Sequence, residues 1–279
     1  MTTITAAMID RFACALHAED RAPATIVKYC RDLRAFAAWL GPQPLAQSQI
    51  NDWKAHLLAQ GYAPVTINAR LAALNSFFRL LGCQGLHARF LKIQRRLFRD
   101  PARVLTRREY ERLLRTARRQ GREEQVLLLE TLCATGIRVS ELSAITVQAV
   151  AQGRAVLTLK GKTRVILLPR ALRQRLSAYI KRQHLSSGPV FRDKRGRALT
   201  RYQIWHIMKR LAAAAGVAAS KAFPHNLRHL FATTYYSLSH DIVRLADVLG
   251  HSALETTRLY LASSGSEHLH TLERLPLLL

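Results

Sequence analysis

The first hundred residues carry their apolar side chains at intervals of three and four. In "TITAAMIDRFACALHAE" one stripe runs through Ile4, Met8, Phe12 and Leu16. After a break at Arg21–Pro23, "ATIVKYCRDLRAFAAWLG" repeats the pattern through Ile26, Tyr29, Leu33, Phe36 and Leu40 and stops at Gly41. "SQINDWKAHLLAQG" and "APVTINARLAALNSFFRLLG" give two more such segments, each closed by a glycine suited to a left-handed cap. No alternating pattern interrupts them. The reading is a compact domain of four or five helices over residues 1–98.

A basic stretch around Pro101 follows, with Arg95, Arg96, Arg99 and Arg103, and residues 99–105 read as a linker. Thr106 and Glu109 have the spacing of a capping box, which opens the next helix. Helical periodicity covers 106–120 and 123–135. The period then switches to two. "AVLTL" at 155–159 and "RVILLP" at 164–169, joined by "KGKT", read as an antiparallel hairpin with a glycine in its turn. "PVFRD" and "RALT" are candidates for a third strand or a loop. Helices return near 170–183, 200–215, 225–238 and 241–249. The expected fold class is mainly α: a helical N-terminal domain and an α-rich domain at 106–279 that carries a small antiparallel β-sheet.

Charge changes this picture most. Forty-three basic residues against 18 acidic ones leave +25 on 279 residues. The excess runs through both halves, with 13 basic against 6 acidic residues in 1–100 and 30 against 12 beyond. Solubility does not need that imbalance; a polyanion does, because each neutralised phosphate releases condensed counterions. Two basic domains suit a two-jawed clamp on double-stranded DNA. No run of some 18 apolar residues indicates a membrane span, and Asp10 and Arg11 interrupt the start in a way a signal peptide does not. Cys14, Cys30, Cys83 and Cys133 lack metal-ligand spacing and read as reduced, mostly buried thiols of a cytoplasmic protein.

The residues able to carry chemistry lie in separate segments. "CATGIRVSEL" places Arg138 just after Gly136. Lys160 and Lys162 flank the hairpin turn. "FPHNLRHLFATT" puts His225 and Arg228 on one helical face behind Pro224. "LGHSALETTRLYLA" holds His251 in a connection, Ser252 and Glu255 at capping-box spacing, and Tyr260 nine residues beyond the histidine. On one straight helix that spacing separates His251 and Tyr260 by roughly 12 Å along the axis, so each is expected to reach a small anion from its own side. His225 and His229 have the spacing of a zinc pair, but neither a third ligand nor the intervening glutamate of a metalloprotease is evident, and no metal is expected. Two arginines, two histidines, a lysine and a tyrosine, without a carboxylate pair or a metal cage, suit one task. They can stabilise a pentavalent phosphorane while a phenol oxygen attacks phosphorus.

"ATGIRVSEL", "HNLRH" with "FATT", and "LGHSALETTRLY" resemble the three signature boxes of the tyrosine recombinase (phage integrase) family, in its compact Xer-like form. The match extends to the spacings: 23 positions from Arg228 to His251 and nine from His251 to Tyr260. It is strongest over about 106–262. The resemblance implies that Tyr260 is the nucleophile of a 3′-phosphotyrosyl link. It makes Arg138 and Arg228 the clamp on the non-bridging oxygens, His225 and His251 supporting donors or proton-transfer groups, and a hairpin lysine the general acid. The family hairpin commonly reads Lys-Gly-any-Lys-any-Arg. "KGKTR" is one residue shorter, so Lys160 is favoured over Lys162 and both stay open; Arg164 is then structural or a backbone contact. No cofactor, metal or ATP is implied. The implied assembly is a monomer in solution that forms a tetramer on two DNA sites through a Holliday junction. Residues 265–279, with an apolar stripe at Leu269, Leu272 and Leu275, are expected to dock on a neighbouring protomer. An accessory or partner recombinase is possible for such a reaction. Position and charge add Arg31, Arg70, Arg201, Lys209, Lys162 and Arg164 as DNA contacts. A nicking-closing topoisomerase and a non-catalytic basic DNA-binding protein are the competing readings.

Overall fold

The computed structural model describes residues 3–83, 85–93, 100–159, 162–251, 253–258 and 260. The chain divides into two units, Met1–Arg95 and Arg96–Leu279.

Among its described residues the first unit holds four helices: α1 (Ala6–Ala18), α2 (Pro23–Leu40), α3 (Gln47–Ala59) and α4 (Pro64–Leu80). Thr5 caps α1 by accepting the Met8 amide, and a proline opens both α2 and α4, where the missing N–H costs nothing. The apolar stripes meet in one core of Phe12, Leu33, Phe36, Trp53, Leu71 and Phe77. Phe12 and Phe77 pack edge to face with centroids 5.5 Å apart. Beyond α4 the chain turns and then runs without regular secondary structure over 86–93, but it is tied down. Asn75 donates to the Ala88 carbonyl and accepts the Ala88 amide, and Asn68 does the same for Leu91, so two side-chain amides stand in for a sheet partner.

In the second unit a single 3₁₀ turn (Pro101–Arg103), within the stretch expected as linker, precedes α5 (Arg107–Arg119) and α6 (Glu123–Thr135). The expected capping box is present: Thr106 accepts the Glu109 amide at 3.2 Å, and Glu109 accepts the Thr106 amide at 2.9 Å. α6 buries Val126, Leu127, Leu128, Leu129 and Leu132, so it is apolar on nearly every side and runs through the core, against α5 and two later helices, α8 (Arg170–Arg182) and α10 (Pro224–Ser239). A 3₁₀ helix (Val139–Ala144) and the short α7 (Val147–Gln152) follow; their length of six residues each leaves too little periodicity for a sequence reading. The hairpin is β1 (Arg154–Leu159) and β2 (Lys162–Leu167), antiparallel, with Arg154 opposite Leu167 and Leu159 opposite Lys162. Residues 189–198 add only isolated bridges, Thr146 with Pro189 and Arg192 with Ala198. A proline without an amide hydrogen cannot extend that pairing into a ladder. The remaining helices are α9 (Arg201–Ala214), α11 (Ile242–Leu249) and α12 (Leu254–Arg258). Among the described residues no helix is long and apolar enough to cross a membrane. The expectation of mostly buried cysteines is not met: Cys30 is buried, Cys83 and Cys133 are half-buried, and Cys14 is exposed on α1.

Candidate active site

Three chain segments converge on one cavity in the second unit. The first leaves α6 at Gly136, whose φ of 59° lies in the left-handed region. A side chain there would also collide, because an added Cβ would sit 2.4 Å from the Phe231 ring. The turn aims the Gly136 carbonyl at α10 and places Arg138 at the start of the 3₁₀ helix. Glu141, 4% exposed, holds Arg138 twice. It accepts the Arg138 amide at 3.0 Å and the Arg138 Nη1 at 2.8 Å.

The second segment is the first turn of α10. Its i, i+3, i+4 spacing sets His225, Arg228 and His229 on one face. Arg228 is 3% exposed and its guanidinium is pinned in plane. Nη1 donates to the Gly136 carbonyl, Nη2 to the Leu249 carbonyl at 2.8 Å, and Nε to the Tyr260 hydroxyl at 3.3 Å.

The third segment runs from the end of α11 to Tyr260. Gly250 closes α11 with φ 63°. An added Cβ there would meet the Arg164 Cδ at 2.4 Å. His251 follows, with Nε2 2.8 Å from Arg228 Nη2 and Nδ1 2.8 Å from the Thr257 hydroxyl. A guanidinium only donates, so Nε2 is the acceptor. A neutral His251 then carries its proton on Nδ1 and donates it to Thr257. Burial and the positive charges of Arg228, Arg138 and Arg164 push the His251 pKa down to about 4, so the ring is neutral near pH 7. Glu141 behaves oppositely. Burial raises its pKa, but hydrogen bonds from Arg138 and the charges of Arg164 and Arg138 outweigh burial and hold it below the usual carboxylate value.

The spacing estimate of roughly 12 Å between His251 and Tyr260 is wrong for this fold. Their rings stack with centroids 5.5 Å apart and planes 21° from parallel. α12 ends at Arg258, and the Tyr260 amide turns back onto the Thr257 carbonyl at 2.9 Å. His251 precedes the helix rather than riding on it. Tyr260 therefore lies among His225, His229 and His251, with centroid distances of 5.3, 6.0 and 5.5 Å. A cavity of about 430 Å³ opens in front of it, lined by Ile137, Arg138, Val139, Ser140, Arg201, Trp205, Phe223, Pro224, His225, Arg228 and Tyr260.

Arg138, His225, Arg228, His251 and Tyr260 thus come together. Lys160, Ser252 and the tail 265–279 lie outside the described residues, and so does the side chain of Lys162. Arg201 joins Trp205 on the cavity wall. Lys209 stands 5.3 Å over the Trp205 ring and donates to the Ala219 carbonyl. In the first unit Arg70 stacks 4.2 Å over Tyr62, and Arg31, largely exposed, rests one arm on the buried Asp32 at 3.3 Å. Arg164 departs from its expected place among the DNA contacts. It is 13% exposed and bound to Glu141 at 2.6 Å and to the Val248 carbonyl at 2.9 Å, which favours its structural alternative. Glu141 and Thr257 belong to the site and were not singled out from the sequence. Glu141 stands three positions after Arg138, at capping-box spacing, but an arginine at the cap position hides that signature. Among the described residues no group of three or more His, Cys, Asp or Glu is placed to hold a metal ion.

Comparison with known proteins bears on the same segments. Residues 103–267 match the phage integrase family, and residues 4–85 match the phage integrase N-terminal SAM-like domain. The chain is 32% identical over 262 residues to tyrosine recombinase XerA of Thermococcus kodakarensis, covering 91% of this chain and 89% of that protein. It is 32% identical over 291 residues to tyrosine recombinase XerD of Xanthomonas campestris, covering 95% and 90%. Its fold is similar to XerH bound to its difH substrate after cleavage, with TM-score 0.72 at 19% identity over 92% of this chain and 81% of that one. It is also similar to a lambda integrase tetramer on a Holliday junction, with TM-score 0.73 at 19% identity over 91% and 76%. With both matched regions and the gathered boxes, the chain belongs to the phage integrase family: it is a tyrosine recombinase of the Xer type, an enzyme that breaks and rejoins DNA in site-specific recombination.

Proposed function

We propose that Tyr260 attacks a scissile phosphodiester of a double-stranded recombination site, forming a 3′-phosphotyrosyl link and releasing a 5′-hydroxyl. The observation that carries this is the placement of the Tyr260 hydroxyl 3.3 Å from Arg228 Nε, on a cavity that also receives Arg138 and His225. Arg228 forms the buried floor, fixed by two backbone carbonyls before any substrate arrives. Arg138, more exposed at the mouth, closes on the second non-bridging oxygen. Donors held in this way meet the charge of the phosphorane without reorganising, and one such donor is worth about 10²–10³ in rate. His225, its ring centroid 5.3 Å from that of Tyr260, is the base suited to relieve the phenol of its proton, while His251, with Nε2 held by Arg228 and its Nδ1 proton given to Thr257, supports the site as a neutral ring stacked on Tyr260. Lys160, or Lys162 in its place, protonates the leaving 5′-oxygen. The phosphotyrosyl link keeps the bond energy of the phosphodiester, so rejoining needs neither ATP nor a metal.

Xer relatives and the lambda integrase tetramer on a Holliday junction support extending the reaction to two sites. Four protomers exchange strands in pairs, and the 265–279 tail of each docks on its neighbour. The free protein is a monomer, in the cytoplasm, and works with an accessory or partner recombinase where its site requires one. The test is to select bound DNA from a random pool and present the winning site both in pairs and on a supercoiled plasmid. Junction formation on paired sites is expected. Plasmid relaxation without junctions would assign the same chemistry to a nicking-closing enzyme.

A further inference from the structure

The last three carbonyls of α11 and its cap each take a guanidinium from a different part of the chain. Val248 accepts from Arg164 on β2, Leu249 from Arg228 on α10, and Gly250 from Arg138 beside the 3₁₀ helix, at 2.9, 2.8 and 3.3 Å. A helix C-terminus leaves carbonyls without intrahelical partners and carries partial negative charge, so it is a place where cations can crowd. Even so, three arginines repel one another, and Glu141 is the carboxylate between two of them. Its Oε1 takes Arg138 at 2.8 Å and its Oε2 takes Arg164 at 2.6 Å. Arg164 packs flat against Gly250, where any Cβ would strike its Cδ. It is not among the residues that line the cavity.

We propose that Arg164 is a positioning residue for strand cleavage: by bridging Glu141 to the Val248 carbonyl, it sets Arg138 and His251 in register around the phosphate. The proposal rests on the reading of Tyr260 as nucleophile. A planar fork spans the two acceptors, one arm on each; a single ammonium cannot do so. Without the bridge, Glu141 keeps its grip on Arg138 but is free to swing with it. The loop from Val248 to His251 loses one of its three anchors. The charge for binding DNA is then still present, while the geometry of the reacting groups is relaxed.

The test is Arg164→Lys in the full chain, assayed on a nicked suicide substrate carrying the selected site. Single-turnover cleavage should fall on the order of 10²-fold, the usual result of misplacing reacting groups by about an ångström. The Kd for the same DNA should stay within about twofold, since the ground state binds as before. In a Glu141→Gln background the same substitution should add little, because the two act as one bridge. A substrate with sulfur in place of the bridging 5′-oxygen leaves as a thiolate and needs no proton, because a thiol is far more acidic than an alcohol. It should not rescue Arg164→Lys. Gly250→Ala, which pushes the Arg164 stem aside, should reproduce the defect and serves if the lysine variant misfolds. Cleavage within about twofold of wild type, a loss explained by weaker DNA binding, or rescue by the sulfur substrate would each overturn the proposal. If wild type itself forms no adduct, the nucleophile reading fails; if wild type reacts and Arg164→Lys matches it, this inference alone fails.

Discussion

His251 reports most directly on the resting charge of the site. It faces Arg228 from α10, Arg164 from β2, Arg138 and Glu141 from the cap and body of the 3₁₀ helix, Thr257 from α12 and Tyr260 from the turn after it. Its pKa, held down to about 4 by burial and the three guanidinium groups, lies well below the ordinary histidine value of 6.5. At pH 5.5 an unperturbed histidine is about 90% protonated, whereas His251 should be protonated to only about 3%. The stability consequence has a definite sign. Because the folded pKa is the lower one, the unfolded chain takes up the proton first. The stabilisation is complete above pH 6.5 and is lost as pH falls from 6.5 toward 4, by about 2–3 kcal/mol once partial exposure is allowed for. The assay is a pH titration of the histidine Cε1–H resonances, with His251→Gln assigning one of the 11 histidines. The same variant should flatten the pH dependence of thermal stability over that range. Binding a duplex to Tyr260→Phe protein brings a phosphate beside the ring and should move the midpoint upward. A midpoint between 6 and 7 in the free protein would refute the crowding of three guanidinium groups around His251.

Other expectations can be measured separately. Gly136→Ala forces a left-handed φ and a clash with Phe231, and should destabilise the second unit by about 2–4 kcal/mol, lowering its melting temperature by about 5–15 °C. Arg228→Lys cannot serve two carbonyls, His251 and Tyr260 together; cleavage should drop about 10²–10³-fold, measured as single-turnover adduct formation. Deleting residues 265–279 should leave single-site binding in gel shift intact and weaken tetramer assembly measured by light scattering on paired sites; unchanged assembly refutes the docking role of the tail.

The elements legible in the sequence were those long enough to show a period. Phe12, Leu16, Leu33 and Phe36 announce a helical core, and Thr106 with Glu109 announces a helix start. The 3₁₀ helix and α7 are not legible, because six residues each are too few to define a repeating apolar face. At the site, Arg138, His225, Arg228, His251 and Tyr260 could be named because their segments carry recognisable spacings. Their mutual distances could not. α12 stops at Arg258 through a local turn onto Thr257, and that single event brings Tyr260 against His251. Glu141 is hidden because its capping-box spacing starts from an arginine rather than a serine or threonine, and its pairing with Arg164 spans 23 positions. The carbonyls of Val248, Leu249 and Gly250 are backbone atoms, so their role emerges only from the tertiary fold.

The central claim is that one phenol among eight tyrosines becomes covalently joined to DNA. The decisive measurement traps wild-type protein on a nicked suicide substrate, digests the adduct and locates the nucleotide by peptide mass spectrometry. The 3′-phosphate is expected on the peptide containing Tyr260, and Tyr260→Phe should bind the same DNA without forming any adduct. An adduct on another residue, or one that survives Tyr260→Phe, would contradict the account.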